Sequence, residues 1–401
     1  MSSAKLKTNR EWLVWARKTA HYKTEDIAKK INKTPETINK WETTGKISFD
    51  DLETLADEYQ RPTTIFFNDD EPIYENDPPN FRTLGSKKIP ITPQIAFEIR
   101  KAKSRRNILL NLEEDLDDFQ IPHFPFENFQ IKDIKKVSGL LRDFLGYKPR
   151  SRSSRDLMHW INKAESSGLL VFEFYDIDPS DLRGYALYYN KLPIIGINHK
   201  ENDNAKKFTF FHELAHIIMK KEGLNNINNY SFINKEEALC NKIAAETLIP
   251  DELFYKFVSE SNSFYKFSSS DIKRLSSIFH VSQSVIVRKA LTLDFITKKE
   301  YNQRINEFKS YINPPKKIRS RKNSKKIKDV NKIKHDPQKG IHNKAVISLR
   351  KNGKYFTNSL FNAYEDELLT DIDLALELGV NLKVIYEMRN LLDKEGYNGS
   401  F

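Results

Sequence analysis

The residues of this sequence best suited to chemistry are His212 and His216, with Glu213 between them, in the run FTFFHELAHIIM at 208–219. Their spacing puts both imidazoles on one face of a helix, about a turn apart. Two neutral ring nitrogens placed in this way can reach one zinc ion at about 2.0–2.1 Å. Glu213 follows the first imidazole and points near the open coordination position. A carboxylate there can take a proton from water that a metal has acidified. With nine histidines in 401 residues, the bare pattern would arise by accident on the order of one time in a hundred. The bland alternative is two histidines satisfied within a packed helix. It must also explain a carboxylate between them on so apolar a run.

Two imidazoles need a third protein ligand if one position is to stay open for water. Downstream, Glu236 to Ile249 reads as a helix closed by Pro250. Glu237 and Asn241 share a face of it, so Glu237 can ligate while Asn241 orients a ligating histidine through its free ring nitrogen. Glu236 points about 100° away and Glu246 lies on a later turn; either replaces Glu237 if the helix phase differs. Cys240, three residues after Glu237, could bring a thiolate towards the metal, but a free cysteine more often packs as a small apolar group. The oxyanion-stabilising group is open between Tyr230, Tyr185 and His280.

Several elements must position these groups. From about 153 a helix, then the strand-like runs 169–174, 184–189 and 193–198, lead into the histidine-bearing helix, which indicates an α+β body. Before it, residues 92–116 read as one long helix with a basic face (Arg100, Lys101, Lys103, Arg105, Arg106). Residues 8–68 read as short helices with tight breaks. Trp12, Leu13, Trp15 and Ala16 pattern the first, Thr24 stands as the cap of the second, and Thr34-Pro35 opens a third that runs to Trp41-Glu42. A fourth carries Leu52, Leu55, Ala56 and Tyr59. Residues 69–80 are acidic and proline-rich, as a linker would be. A second linker from Pro314-Pro315 is crowded with lysine and arginine between Lys316 and Lys334. The tail from Gly340 to Leu392 regains helical periodicity and reads as a small separate module. A second run of helix-turn-helix type, Asp271 to Leu291, is expected to pack within the body.

Bulk properties bound the partners. The chain carries 66 Lys and Arg against 55 Asp and Glu, a net charge of +11 and a pI near 9.2. This favours a polyanionic partner, most simply nucleic acid. One cysteine excludes an intramolecular disulfide and a cysteine-based metal cage. No apolar run approaches the roughly 18–20 residues that span a bilayer, and the first residues lack a stretch of signal-peptide type. A cytoplasmic protein without membrane attachment is expected.

The stretch Phe208 to His216, followed by Glu237, Asn241, Ala244-Ala245 and Leu248-Ile249-Pro250, resembles the ImmA/IrrE family of metallopeptidases. Arg183 to Leu187 and Pro193 to Asn198 are similar to that family's strands before the motif helix. Cys240 and Ile243 depart from it, where alanine and phenylalanine are commoner. The resemblance implies one zinc ion held by His212, His216 and Glu237, with Glu213 as catalytic base. It also implies a free strand edge able to hold an extended peptide. Residues up to about 70 resemble a Cro/CI-type (XRE) helix-turn-helix, whose recognition helix would be Pro35–Trp41. DNA contacts would then come from Lys33, Thr34, Glu36, Thr37, Asn39 and Lys40. Charge agrees only partly: up to Lys46 there are eleven Lys and Arg against five acids, and the next helix is acidic. Ala56 to Phe67, Pro78 to Arg82 and the tail after Gly353 resemble proteins that carry this domain ahead of such a peptidase.

The expected architecture is α+β, mainly α. A helix-turn-helix bundle at 1–70 and a linker and helical connector at 71–150 precede a zincin-like peptidase, a small sheet with the motif helix, at 151–312. A basic linker at 313–339 and a small helical module at 340–401 follow. The expected activity is zinc-dependent endoproteolysis of a transcriptional repressor, a toxin–antitoxin component or this chain's own basic linker, beside DNA as a partner and a homodimer among the assemblies the resemblance allows. The alternative is a DNA-binding regulator or antitoxin-like protein whose zinc site is structural or sensory.

Overall fold

The computed structural model describes residues 5–74, 91–116, 119–126, 133–149, 156–219, 230–260, 267–312 and 337–394. The fold is mainly helical with small sheets. The chain divides into two compact units, residues 1–105 with 176–182 and residues 106–175 with 183–401.

The first unit contains β1 (Lys5–Lys7), α1 (Arg10–Thr19), α2 (Thr24–Lys30), α3 (Pro35–Thr44), β2 (Lys46–Ser48), α4 (Phe49–Tyr59), a 3-10 turn at Thr63–Phe67 and the first part of α5 (Pro93–Asp115). Apolar residues at helical spacing decide its packing. Leu13 and Ala16, Ile27 and Ala28, Ile38 and Trp41, and Leu52, Leu55 and Tyr59 are buried with Phe66 and Phe97. Asn9 caps α1 by accepting from the Glu11 N–H at 3.0 Å. Thr34 caps α3 from the Thr37 N–H at 3.3 Å, with Pro35 at the first helical position. Thr24, the expected cap of α2, is instead its first helical residue. Lys23 takes the cap position, and an ammonium has no acceptor to offer there. Helix α3 continues past Trp41-Glu42 to Thr44 and stops at Gly45, where φ is 66°. A Cβ at Gly45 would stand 2.3 Å from the Thr8 carbonyl oxygen, so the β1–β2 ladder needs glycine there.

Long polar side chains complete this unit. Arg17 forks onto Glu42 at 2.6 and 2.9 Å and ties α1 to α3. The indoles of Trp12 and Trp15 donate to the carbonyls of Asp70 and Ile73, so the start of the expected linker lies against α1. Residues 75–80 of that linker, with Pro78 to Arg82, lie outside the described residues. Arg100, expected on a basic face, donates instead to the carbonyls of Tyr59 and Gln60. Burial, and then the neighbouring Arg61, lower it to about 10.

The second unit continues with α6 (Ile134–Leu145), α7 (Leu157–Glu165), β3 (Leu170–Phe174), β4 (Gly184–Leu187), β5 (Ile194–Asn198), α8 (Asp203–Met219) and α9 (Tyr230–Leu248). Then come α10 (Asp251–Ser259), α11 (Ser269–Phe279), α12 (Gln283–Thr292), α13 (Lys298–Ile312), α14 (Pro337–Asn352), α15 (Lys354–Glu365), α16 (Asp371–Leu378) and α17 (Leu382–Lys394). The sheet order is β3-β5-β4. Central β5 runs parallel to β3, with Leu170 opposite Ile194, and antiparallel to β4, with Gly184 opposite Ile197. Every residue of β3 and β5 is buried, as strands covered on both faces require. Glu173 is tolerated inside β3 because Lys206 donates to it at 3.1 Å and His199 Nδ1 lies 2.9 Å away. Helix α8 packs on β4 and β5, and α9 packs on α8 and α6.

Two expected boundaries differ. Helix α6, assigned to a connector at 71–150, belongs to the core of this unit. Val137, Leu141 and Leu145 are buried in it, and Ser138, Arg142 and Tyr147 donate to carbonyls of Ile243, Glu246 and Leu248 of α9. The tail, expected as a separate module, packs α14 on β3 and α15 on α7. Its helix begins at Pro337, and the Lys354 N–H donates to Glu165 of α7 at 3.2 Å. Gly353, at φ 75°, leaves room for that carboxylate, which a Cβ would approach to 2.6 Å. Helices α11 and α12, the second run of helix-turn-helix type, bury Ile272, Leu275, Phe279, Ile286 and Val287 in the same core. Residues 313–336 of the basic linker lie outside the described residues.

Candidate metal centre

Helix α8 is buried on nearly all sides, which explains its uninterrupted apolar run around the two histidines. His212 and His216 stand one turn apart with their Nε2 atoms 3.2 Å from each other. Glu237 reaches them from α9: one carboxylate oxygen lies 3.4 Å from His212 Nε2, the other 3.3 Å from His216 Nε2. Cys240 Sγ, 3.4 Å from Met219 Sδ, packs α9 on α8 beside these groups. Among the described residues, His212, His216 and Glu237 form a cluster able to hold a metal ion, their ligand atoms within 4.8 Å of one another.

The spacing fits zinc. Bonds of about 2.0–2.1 Å in tetrahedral geometry put neighbouring ligand atoms about 3.3 Å apart. Hydrogen bonds link the two imidazoles to each other and Glu237 to both, and all three groups are of the kinds that ligate zinc.

Electrostatics follow from burial. Burial would raise the Glu237 carboxyl, but hydrogen bonds with His212 and His216 outweigh it and hold the group well below the usual carboxylate range. Glu213 is buried, and burial pushes its carboxyl up against the opposing pull of both imidazoles. On His216, burial opposes the charged form while Cys240, Glu236 and Glu237 raise its pKa above the usual histidine value. Burial likewise pushes the Cys240 thiol up, and its side chain is fully enclosed, in keeping with a packing residue.

The expected groups fall out unevenly. Asn241 Oδ1 is buried without a hydrogen-bond partner among the described residues, and so is His212 Nδ1. The expected Asn241–histidine bond is therefore absent. Glu236 lies 3.4 Å from His216 Nδ1, and Cys240 also hydrogen-bonds the His216 ring. Glu246 is engaged elsewhere, 2.5 Å from Lys289. Of the oxyanion candidates, Tyr185 is buried and stacked on Phe174. His280 caps α11 in a left-handed conformation, and the side chain of Tyr230 lies outside the described residues.

The sequence does not reveal three roles. Helical phase offers Glu236 only as a substitute ligand, whereas it lies against the outer nitrogen of His216. Gly184 stands in an expected strand with no role assigned to it, and a Cβ there would stand 2.5 Å from Thr209 Cγ2, 3.0 Å from the Gly196 carbonyl and 3.1 Å from Glu213 Cγ. It is the close approach of β4 to α8 that requires glycine. Glu201 accepts from Thr209 at 2.8 Å and lies 3.6 Å from Arg183, a link between residues far apart in the chain.

The residues expected to touch DNA lie around α3. Lys33, Thr34, Glu36, Asn39 and Lys40 are exposed and Thr37 is half-buried. Lys33 is 2.7 Å from Asp51, and the hydroxyls of Thr34 and Thr37 face each other at 3.1 Å.

Among the described residues no helix is long and apolar enough to cross a membrane. The model of a peptidase family described as the IrrE N-terminal-like domain matches residues 164–291, from the end of α7 to α12. The matched stretch is similar to a metallopeptidase domain and contains all four residues of the histidine–glutamate centre. No curated protein matches the chain.

Proposed function

We propose that the chain is a zinc-dependent endopeptidase joined to a DNA-binding domain. The observation that carries this is the triangle of His212, His216 and Glu237 at tetrahedral ligand spacing, with Glu213 buried beside it. Those three residues would hold the ion, which when bound polarises a peptide carbonyl and acidifies water. Glu213 accepts the proton on its carboxylate and returns it to the leaving amine. Its enclosure keeps that carboxylate short of solvent partners, and Gly184 leaves it room against β4. β4 stands at the edge of its three-stranded sheet, a place where an extended peptide can add as a strand.

In the first unit, α2 and α3 serve as the helix-turn-helix pair. Asn39, Lys40 and Glu36 project towards bases or phosphates, while Lys33, Thr34 and Thr37 contribute once released from their internal partners. The substrate class is a transcriptional repressor or a toxin–antitoxin component, by the family's habit, and the compartment is the cytoplasm.

The test is Glu213→Gln in the full chain, with bound zinc, cleavage of captured cellular proteins and derepression followed together. One zinc per chain should remain while cleavage falls by about 10²–10⁴-fold. Derepression that survives intact would remove the peptidase reading and leave a DNA-binding regulator with a structural or sensory metal.

A further inference from the structure

The two imidazoles of the candidate centre are held differently. Both point Nε2 at the shared vertex with Glu237. For a ligating histidine, the other ring nitrogen then carries a proton, and its acceptor fixes the tautomer and the tilt of the ring. His212 Nδ1 is buried without a partner among the described residues; its ring is steadied by packing, stacked near Phe208 with centroids 6.2 Å apart. His216 Nδ1 has Glu236 Oε1 at 3.4 Å.

We propose that Glu236 is a positioning residue for His216, its carboxylate against Nδ1 turning Nε2 towards Glu237 and His212. The inference rests on the metal reading above. Helix geometry makes it possible. Glu236 and Glu237 are successive residues of α9, about 100° apart around its axis, so their carboxylates approach opposite edges of one imidazole. Glu237 supplies a corner of the triangle and Glu236 stands behind the ring. Glu236 is not among the residues whose ligand atoms converge, so it acts through His216 and not as a ligand. Its side chain keeps 29% exposure, against 10% for Glu237, so part of the carboxylate stays hydrated and the ring is anchored without burying another full charge. Asn241, the residue that spacing alone suggests for this task, does not perform it.

The experiment measures zinc affinity of the full chain by competition with a chelator, for the wild type, Glu236→Ala and Glu236→Gln. Nitrogen-15 histidine spectra of the zinc-loaded proteins and melting of the metal-free ones accompany it. Zinc binding by the wild type decides the metal reading; the variants decide this inference. Glu236→Ala should bind zinc 10–100-fold more weakly and lose the slowly exchanging Nδ1 proton signal of His216. Glu236→Gln, which keeps an acceptor oxygen, should recover most of the affinity and the signal. Wild-type affinity in Glu236→Ala would overturn the proposal. So would a glutamine variant as weak as the alanine one, which would mean that charge alone matters. A lowered melting temperature with unchanged affinity in the folded fraction would assign Glu236 to stability instead.

Discussion

In the first unit, the residues that set each helix lie within a few positions of it. Asn9 caps α1, Thr34 caps α3 and Gly45 ends α3, and the apolar stripe of each helix turns inward at helical spacing. In the second unit the candidate centre draws on two helices that meet only through packing: His212 and His216 on α8, Glu237 on α9. Even the room for Glu213 comes from elsewhere, from Gly184 of β4. Local signals specify elements, whereas a centre of this kind depends on how elements are pressed together. A change of equal chemical size should therefore act differently in the two places.

The largest effect is expected at the convergence point. Glu237→Ala removes one corner of the triangle, and binding of one zinc per chain should be lost with the fold retained; metal analysis after gel filtration reads this directly. Glu246→Ala, on the same helix but turned to Lys289, should leave the zinc in place. If the two results exchanged, the account of how α9 meets α8 would be wrong. Next in size is Trp41→Ala. This buried ring of the first unit should cost about 3–5 kcal/mol, seen as early melting of that unit by circular dichroism, with zinc content unchanged.

Much of the fold was legible because local signals set its elements. Thr34-Pro35 opens α3 where the sequence announces it, although the helix runs on past Trp41-Glu42 to Gly45, and the largely apolar runs at 169–174 and 193–198 announce buried strands. Helical phase makes the two motif histidines legible as a pair, whereas Glu237 is offered by phase beside Glu236 and Glu246 and singled out by the family resemblance, and only packing brings it to them. What was not legible required tertiary placement. Asn241 shares the phase of Glu237, yet it makes no bond to a histidine, while Glu236, a turn's fraction away, lies against one. The tail looked separate because its helices are periodic in themselves. Only packing reveals that the start of α15, whose own cap position is Gly353 with no side chain to offer, borrows Glu165 from α7.

That borrowed cap gives the third prediction. Glu165 is fully enclosed, and burial raises its carboxyl to about 8 against the pull of the Tyr355 and Lys354 N–H groups. The folded chain holds this proton more tightly than the unfolded chain. Its contribution is therefore complete below the ordinary carboxylate pKa of 4.5 and is lost as the pH rises through about 8. The loss should be on the order of a few kcal/mol. Melting of the second unit should fall between pH 5 and pH 8.5, and Glu165→Gln should flatten that slope. An unchanged slope in the variant would assign the pH dependence to other groups.

The smallest effect returns to the first unit and separates two jobs of one hydroxyl. Thr34 caps α3 by accepting from the Thr37 N–H, and it is also among the residues proposed to face phosphate. Thr34→Ala removes both functions and should cost about 1 kcal/mol of stability, the usual price of a lost cap. Thr34→Asp keeps an acceptor for the cap and places a negative charge at the positive end of the helix dipole, so stability should return to within a few tenths of a kcal/mol of wild type. The same charge repels a phosphate. Thr34→Asp should therefore restore melting and still weaken DNA retention at low salt, where phosphate contacts count most. A variant that recovered both would leave Thr34 as a cap alone and move the DNA-facing surface of α3 towards Asn39 and Lys40.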